Sequence, residues 1–266
     1  MKNLKTRAAA VNISKLLLSA IACFLSVRLL MGVESEPGIA YDTGDAEHLP
    51  TAAIGEITNG KLAADEHIMP KIEEEMAAGF ARALAVNEET AGWLLIPNVC
   101  YYPVMYSKTH NYYLTHDPQR AASVRGSIFI NSQCEPDFDG MLTLIHGHNM
   151  KDATMFGRLG EYLGEDFFRN NSPIMICDGE LIRKYKPFTV VILAENNDVT
   201  DAHGLSDAER ISYLESMYDR SVCKMEEGEK PDLTKPIIFF STCDYSFSEA
   251  RLLVGAYLTD TRKVGG

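Results

Sequence analysis

At 266 residues, 46% hydrophobic and 23% charged, the chain is too apolar for a disordered segment and long enough for one well-buried domain plus an appendage. Its net charge of −12 is unevenly spread. Residues 1–33 carry five basic residues and no acidic one, leaving about −17 on the rest, which excludes a nucleic-acid partner because phosphate binding needs clustered cations.

The first 15 residues form a basic tail, with Lys2, Lys5, Arg7 and Lys15. From 16 to 33 the chain is apolar except for Arg28, and 18 residues is near the lower limit for a spanning helix. Arg28 lies close enough to the outer end to snorkel toward the interface. The preceding cations place the N-terminus in the cytoplasm and the bulk of the chain outside, on a single-pass anchor in the cell membrane. A cleaved signal peptide shares the basic start and apolar middle, but no clean small-x-small site follows here. Residues 34–66 hold eight acidic side chains, one lysine and scattered Gly and Pro, the composition of a solvated stalk. From His67 to Leu84, Ile68, Ile72, Met76, Phe80 and Leu84 recur at intervals of four, which predicts a helix packed on the domain that follows.

Eight short runs of strand character come next: Trp93–Ile96, Tyr101–Tyr106, Ser127–Asn131, Met141–His146, Ile174–Cys177, Tyr185–Ala194, Ile237–Thr242 and Leu252–Leu258. Gly, Pro, Asn and Asp clusters separate them, so the expectation is a mainly β fold, a closed barrel or sandwich. Two helical insertions interrupt the series. One is Thr154–Leu163. The other runs from Ser206 to Tyr218, where Ser206-Asp207-Ala208-Glu209 reads as a capping box ahead of Ile211, Leu214 and Met217. The predicted organisation is a tail at 1–15, an anchor at 16–33, a stalk at 34–66 and a catalytic domain at 67–266.

Six cysteines occur, at 23, 100, 134, 177, 223 and 243. With one in the anchor, an odd five remain, and no C-x-x-C pair suggests a zinc ribbon or a redox site. Cys243 stands out. It ends a β-type run and precedes a polar stretch, and Arg251 opens the next apolar run eight residues later. A cysteine nucleophile needs a cation, since the thiolate is the reactive form. Cys100, Cys134, Cys177 and Cys223 read as small buried hydrophobes rather than bridges.

A catalytic thiol also needs an acid or base, usually histidine. His48 and His67 lie in the stalk and at the helix start, and His110, His116 and His203 lie in polar, loop-like surroundings. His146 and His148 remain, flanking Gly147 at the end of an apolar run. If the strand continues, both imidazoles share a face and could ligate a metal, though no further ligand cluster stands nearby. Otherwise one histidine is catalytic at a strand end, and either taken alone could be structural.

The run from Leu144 to Gly157, His-Gly-His-Asn-Met-Lys-Asp-Ala-Thr-Met-Phe-Gly at its centre, resembles the histidine segment of the sortases, class B in particular. Phe240-Ser241-Thr242-Cys243 with Arg251 is similar to their cysteine and arginine motifs. Gly92-Trp93-Leu94-Leu95-Ile96-Pro97, Tyr112-Tyr113-Leu114 and Gly126-Ser127-Ile128-Phe129-Ile130 also match, in the family's order, across roughly residues 85–258. The resemblance implies a closed sortase-type β-barrel of about eight strands with peripheral helices, preceded by the N-terminal helix and membrane anchor. It implies Cys243 as nucleophile, His148 as acid and base with His146 a bystander, and Arg251 at the oxyanion or the peptide. Ser241, Thr242 and Asp244 would line the substrate groove, Asp244 also reading as an ordinary loop carboxylate. Phe239-Phe240 departs from the family's usual Thr-Leu beside that groove, which leaves substrate preference open.

The implied reaction is transpeptidation without cofactor or metal. A sorting-signal peptide of a secreted surface protein is cleaved after Thr through a thioester and passed to an amine of a peptidoglycan precursor or pilin. A cysteine peptidase that only hydrolyses its peptide is the alternative.

Overall fold

The structure, a computed structural model, describes residues 68–194, 205–225, 229, 231–244 and 250–265. The predicted tail, anchor and stalk lie outside the described residues. Among the described residues, no helix is long and apolar enough to cross a membrane.

Among the described residues there are nine strands. They are β1 (Thr90–Ile96), β2 (Cys100–Tyr106), β3 (Ile128–Ile130), β4 (Leu142–His146), β5 (Ile174–Cys177), β6 (Leu181–Ala194), β7 (Cys223–Lys224), β8 (Ile237–Asp244) and β9 (Ala250–Lys263). Eight of them close into a barrel in the order β5-β1-β2-β3-β4-β8-β9-β6, sealed by pairing of β6 with β5. Closure removes the unpaired edges that an open sheet would expose. The two-residue β7 adds to β6 alone and is the one strand whose sequence carries no visible signal. The β2–β3 and β4–β8 neighbours run parallel; the other pairs are antiparallel.

The two-residue period of the strands divides the core. On β1, Leu94 and Ile96 face the barrel interior, whereas Trp93 and Leu95 face outward. On β5, Ile174 and Ile176 point in and Met175 and Cys177 point out. The outward set is covered by α1 (Met69–Val86), whose Ile72, Met76, Phe80 and Ala83 pack on it. A strict interval of four outruns the 3.6-residue turn by about 40° per step, so the stripe rotates off the barrel. Leu84 is accordingly exposed, and Ala83 takes the buried place. Glu73 of α1 pairs with Lys184 of β6 at 2.8 Å, both nearly buried, and so fixes the helix along the barrel.

The capping box predicted at Ser206 forms as written: its hydroxyl accepts from the Glu209 amide, and the Glu209 carboxylate accepts from the Ser206 amide, at the head of the helix Asp207–Asp219. The helix predicted over Thr154–Leu163 does not form across that range. Ala153 and Met155 hold left-handed φ values of 65° and 54°, and Asn149 bridges Met155 in a β pairing. Such values end any α-helix, so the chain turns back on itself here. Only Leu159–Leu163 is helical, as a 3-10 turn, followed by α2 (Glu165–Asn170). The helix Asp207–Asp219 is α3.

Gly255 of β9 lies beneath aromatic rings. A Cβ there would come within 2.5 Å of the Thr189 methyl and 2.7 Å of the Phe239 ring. Gly255→Ala should therefore destabilise the barrel by about 1–3 kcal/mol, read as a lower urea midpoint with an unchanged slope.

Candidate active site

β8 extends one residue beyond Cys243, and β9 starts one residue before Arg251. The two residues are direct partners in the antiparallel pairing, so their side chains leave the same face of the sheet. Arg251 Nη1 donates to Cys243 Sγ at 3.0 Å. They meet side by side on paired strands, in direct register.

β4 runs parallel to β8 on its other side, with His146 opposite Ser241. β4 stops at His146, but three hydrogen bonds carry the seam onward. The Gly147 amide donates to the Ser241 carbonyl at 3.1 Å, the Thr242 hydroxyl to the Gly147 carbonyl at 2.8 Å, and Asn149 Nδ2 to the Cys243 carbonyl at 2.8 Å. His148 is thus bracketed by two residues tied to the cysteine strand. Gly147 is required here for space, since a Cβ would lie 2.6 Å from the Phe156 ring.

His148 Nε2 lies 2.8 Å from the Leu114 carbonyl. A carbonyl only accepts, so Nε2 carries the hydrogen and Nδ1 is the nitrogen left to exchange protons. His146 has a different partner: Asn131 Nδ2 stands 3.1 Å from its Nε2, with the ring tilted against Phe129. Because Asn131 Oδ1 accepts the Gln133 amide, Nδ2 is the atom facing the ring, and His146 Nε2 is an acceptor. With β4 ended and the imidazoles on separate partners, the metal-pair arrangement does not form. Among the described residues, no group of three or more His, Cys, Asp or Glu side chains is placed to hold a metal ion.

A cleft of about 210 Å³ opens over these groups, lined by His148, Ser241, Thr242, Cys243 and Arg251. Ser241 and Thr242 are almost wholly buried, and the Thr242 hydroxyl is spent on Gly147, so Thr242 shapes the loop more than it meets a ligand. The backbone of Asp244 pairs with Ala250, and its side chain lies outside the described set. The cleft also takes in residues that sequence reasoning passed over: His110, Asn111, Leu114, Asn131, Leu193 and Leu253. His110 read as an ordinary loop histidine, yet it stands at the rim, its Nδ1 3.2 Å from Ser132 Oγ. Nothing local in the sequence marks it; its place follows from the packing of residues 107–126 against the barrel mouth. Phe239 and Phe240 are fully buried, against Phe188 and Phe156 respectively. They are core residues and do not border the groove, so their difference from the family's usual pair concerns packing.

All five described cysteines are free thiols, four buried and Cys243 half-buried. Burial pushes the Cys100, Cys177 and Cys223 thiols up from their ordinary values and keeps them protonated.

No family model matches the chain. Among individual proteins it is similar to sortase B of Listeria monocytogenes, 32% identical over 166 residues, or 60% of this chain. The matched stretch is 64% of the Listeria protein's length, less than two thirds of it. The X-ray structure of Clostridium perfringens sortase B matches with a TM-score of 0.61 at 24% identity, covering 68% of this chain and 99% of that one. A Staphylococcus aureus sortase B–substrate complex matches with a TM-score of 0.62 at 24% identity, covering 73% of this chain and 91% of that one. The barrel is the one those proteins share.

The burial pattern has a chemical consequence. Brief alkylation of the native protein with iodoacetamide should label Cys243, with Cys100, Cys134, Cys177 and Cys223 labelled only in denaturant, as mapped by peptide mass spectrometry.

Proposed function

We propose that the chain is a sortase-type cysteine transpeptidase, its sequence likeness lying with sortase B, and that it acts on peptide sorting signals. The observation that carries this reading is the cross-strand pair of Cys243 and Arg251, with the guanidinium 3.0 Å from sulfur beside the tethered loop of His148. That the Staphylococcus protein of the same fold has been captured with its substrate supports the reading of the cleft as a substrate site.

In the proposed reaction the Cys243 thiolate attacks the carbonyl carbon of a threonine in a sorting signal near the end of a secreted protein. The carbonyl oxygen takes up the electron pair and becomes an oxyanion. Collapse of the adduct breaks the peptide C–N bond. His148, as imidazolium, gives its Nδ1 proton to the departing amine, and an acyl thioester remains on Cys243. An incoming amine, from a peptidoglycan precursor or pilin, then attacks the thioester carbon and passes a proton to neutral His148. The thiolate leaves, one peptide bond has been exchanged for another, and the enzyme regains its starting charge.

Arg251 serves twice in this scheme. Its permanent charge complements the thiolate, and its fork of five N–H donors reaches the oxyanion when sulfur becomes bonded to carbon. Residues 16–33 would anchor the chain in the cell membrane with the N-terminus inside, which places the barrel beside secreted substrates and their acceptors.

The test is to incubate the full chain in detergent with a library of sorting-type pentapeptides and an oligoglycine acceptor. Peptide joined to the acceptor is the expected product; free acid alone, with acceptor present, would mean a hydrolase instead. Cys243→Ala should yield neither thioester nor product. His148→Ala should lose far more activity than His146→Ala, and comparable losses would contradict the assignment of His148. Arg251→Lys should lower kcat/KM by about 100-fold or more, because a point charge cannot replace the fork. Near-normal turnover of that variant would count against the oxyanion role.

A further inference from the structure

His148 is held from two sides. The cysteine strand holds its backbone; the Leu114 carbonyl holds its ring. That carbonyl belongs to the 3-10 turn Tyr112–Leu114, which lies in the long connection between β2 and β3, where no strand pairing fixes it. Backbone hydrogen bonds hold the turn to its own connection, the Leu114 amide to the Asn111 carbonyl and the Ser127 amide to the Tyr113 carbonyl, and side chains tie it to the link between α1 and β1.

The strongest of these supports is Tyr113. Its side chain is 1% exposed and packs with Met105 and Phe129. Its hydroxyl donates to Glu89 Oε2 at 2.6 Å and accepts from Asn87 Nδ2 at 2.8 Å. Burial, reinforced by the hydrogen bond to Glu89, pushes the phenol well above its ordinary value, so it remains a protonated donor. Asn87 is the C-terminal cap of α1, its amide bonded to the Ala83 carbonyl, and its Nδ2 also reaches the Pro118 carbonyl. Glu89 Oε2 also pairs with Arg120 Nη2, at 2.8 Å, on the far arm of the same connection. The Tyr113 carbonyl accepts the Ser127 amide, next to Gly126. Gly126 itself has a left-handed φ of 57°, and a Cβ there would fall 2.5 Å from the Leu114 oxygen. The turn is thus pinned at its tyrosine and pressed from behind at the oxygen that meets His148.

We propose that Tyr113 is a positioning residue for the reaction: through Asn87 and Glu89 it holds the Leu114 carbonyl where His148 Nε2 must donate, and so presents Nδ1 to the cleft. The proposal rests on the transpeptidase reading for its rate consequence, though not for its structural one. It also joins the end of α1, remote from the thiol in sequence, to the orientation of the imidazole. A carbonyl displaced by about an ångström loses the hydrogen bond, and the ring is then free to adopt the other tautomer or turn from the cleft.

The test uses the full chain labelled with 15N at the histidine rings, with His148 assigned by the loss of its signals in His148→Gln. In the unsubstituted protein the ring 15N shifts of neutral His148 should report the Nε2–H tautomer. Tyr113→Phe, which keeps the ring, and Glu89→Ala, which removes the hydroxyl's acceptor at a partly exposed site, should each raise the Nδ1–H population to a readable fraction. Each should also lower kcat about tenfold or more while KM stays within about twofold. Glu89→Gln, which retains an acceptor, should keep the original tautomer. Wild-type tautomer populations in a folded Tyr113→Phe or Glu89→Ala protein would overturn the proposal, whatever the rate. If Tyr113→Phe fails to fold, Glu89→Ala decides alone. Should the unsubstituted protein turn over no peptide, the transpeptidase reading fails while the 15N measurement still judges Tyr113.

Discussion

Two neighbouring strands that run the same way end at the same rim of a barrel, so the segments leaving them must meet there. β4 and β8 are such a pair, and their ends deliver His148 and Cys243 to one cleft although 95 positions separate them in sequence. Parallel pairing alone would leave the histidine on a free loop. The seam continues past the last strand residue instead, through the Gly147 amide, the Thr242 hydroxyl and the Asn149 side chain. Two of these three groups are side chains in the motifs that resemble those of the sortases, and both spend their hydrogen bonds on backbone carbonyls. The motif residues around the histidine and thiol thus divide into those that face the cleft and those that hold the rim together.

That seam depends on a filled interior. Phe156 lies over Gly147 and edge-on to Phe240, so the turn after the histidine is seated on the core and not merely hydrogen-bonded to it. Aromatic contacts of this kind add specificity of position to the burial of area. Such seating explains why the stretch Asn149–Arg158 folds back instead of forming a helix. Met155 and Phe156 must both be buried, and the left-handed turns at Ala153 and Met155 let the chain reverse over the barrel mouth to bury them.

The eight barrel strands were legible because each is a short apolar or β-branched run bounded by Gly, Pro, Asn or Asp, and α3 because Ser206 and Glu209 cap it locally. What escaped was whatever depends on contacts distant in sequence. β7 is two residues long and exists only because β6 offers it an edge. The apolar residues of Thr154–Leu163 mimic a helical stripe, but the left-handed backbone at Met155 breaks it, and only Leu159–Leu163 winds into a 3-10 turn against the core. Phe239 and Phe240 precede the Ser-Thr-Cys motif, so proximity in sequence suggested the groove, whereas both rings turn into the core. At the site, residue type and local pattern singled out Cys243, Arg251 and the His146–His148 pair, and the resemblance to the sortases chose His148; all four line the cleft. His110, Asn131, Leu193 and Leu253 were not singled out, since each reaches the cleft from a separate element.

The supports of the three proposed reacting groups differ in kind, and the chemistry accounts for the difference. The thiol and the guanidinium must keep one spacing throughout, and both stand on paired strands in direct register. In the proposed reaction the imidazole gives a proton to one amine and takes one from another, so it needs a fixed orientation together with an approachable face. A loop tethered on both sides of the histidine provides the first, and half-burial at the rim provides the second. His146, the last residue of the paired strand, instead has its Nε2 occupied by Asn131. Placing the histidine two residues beyond the strand end exchanges that rigidity for access, and the Leu114 carbonyl restores the orientation that the strand no longer supplies.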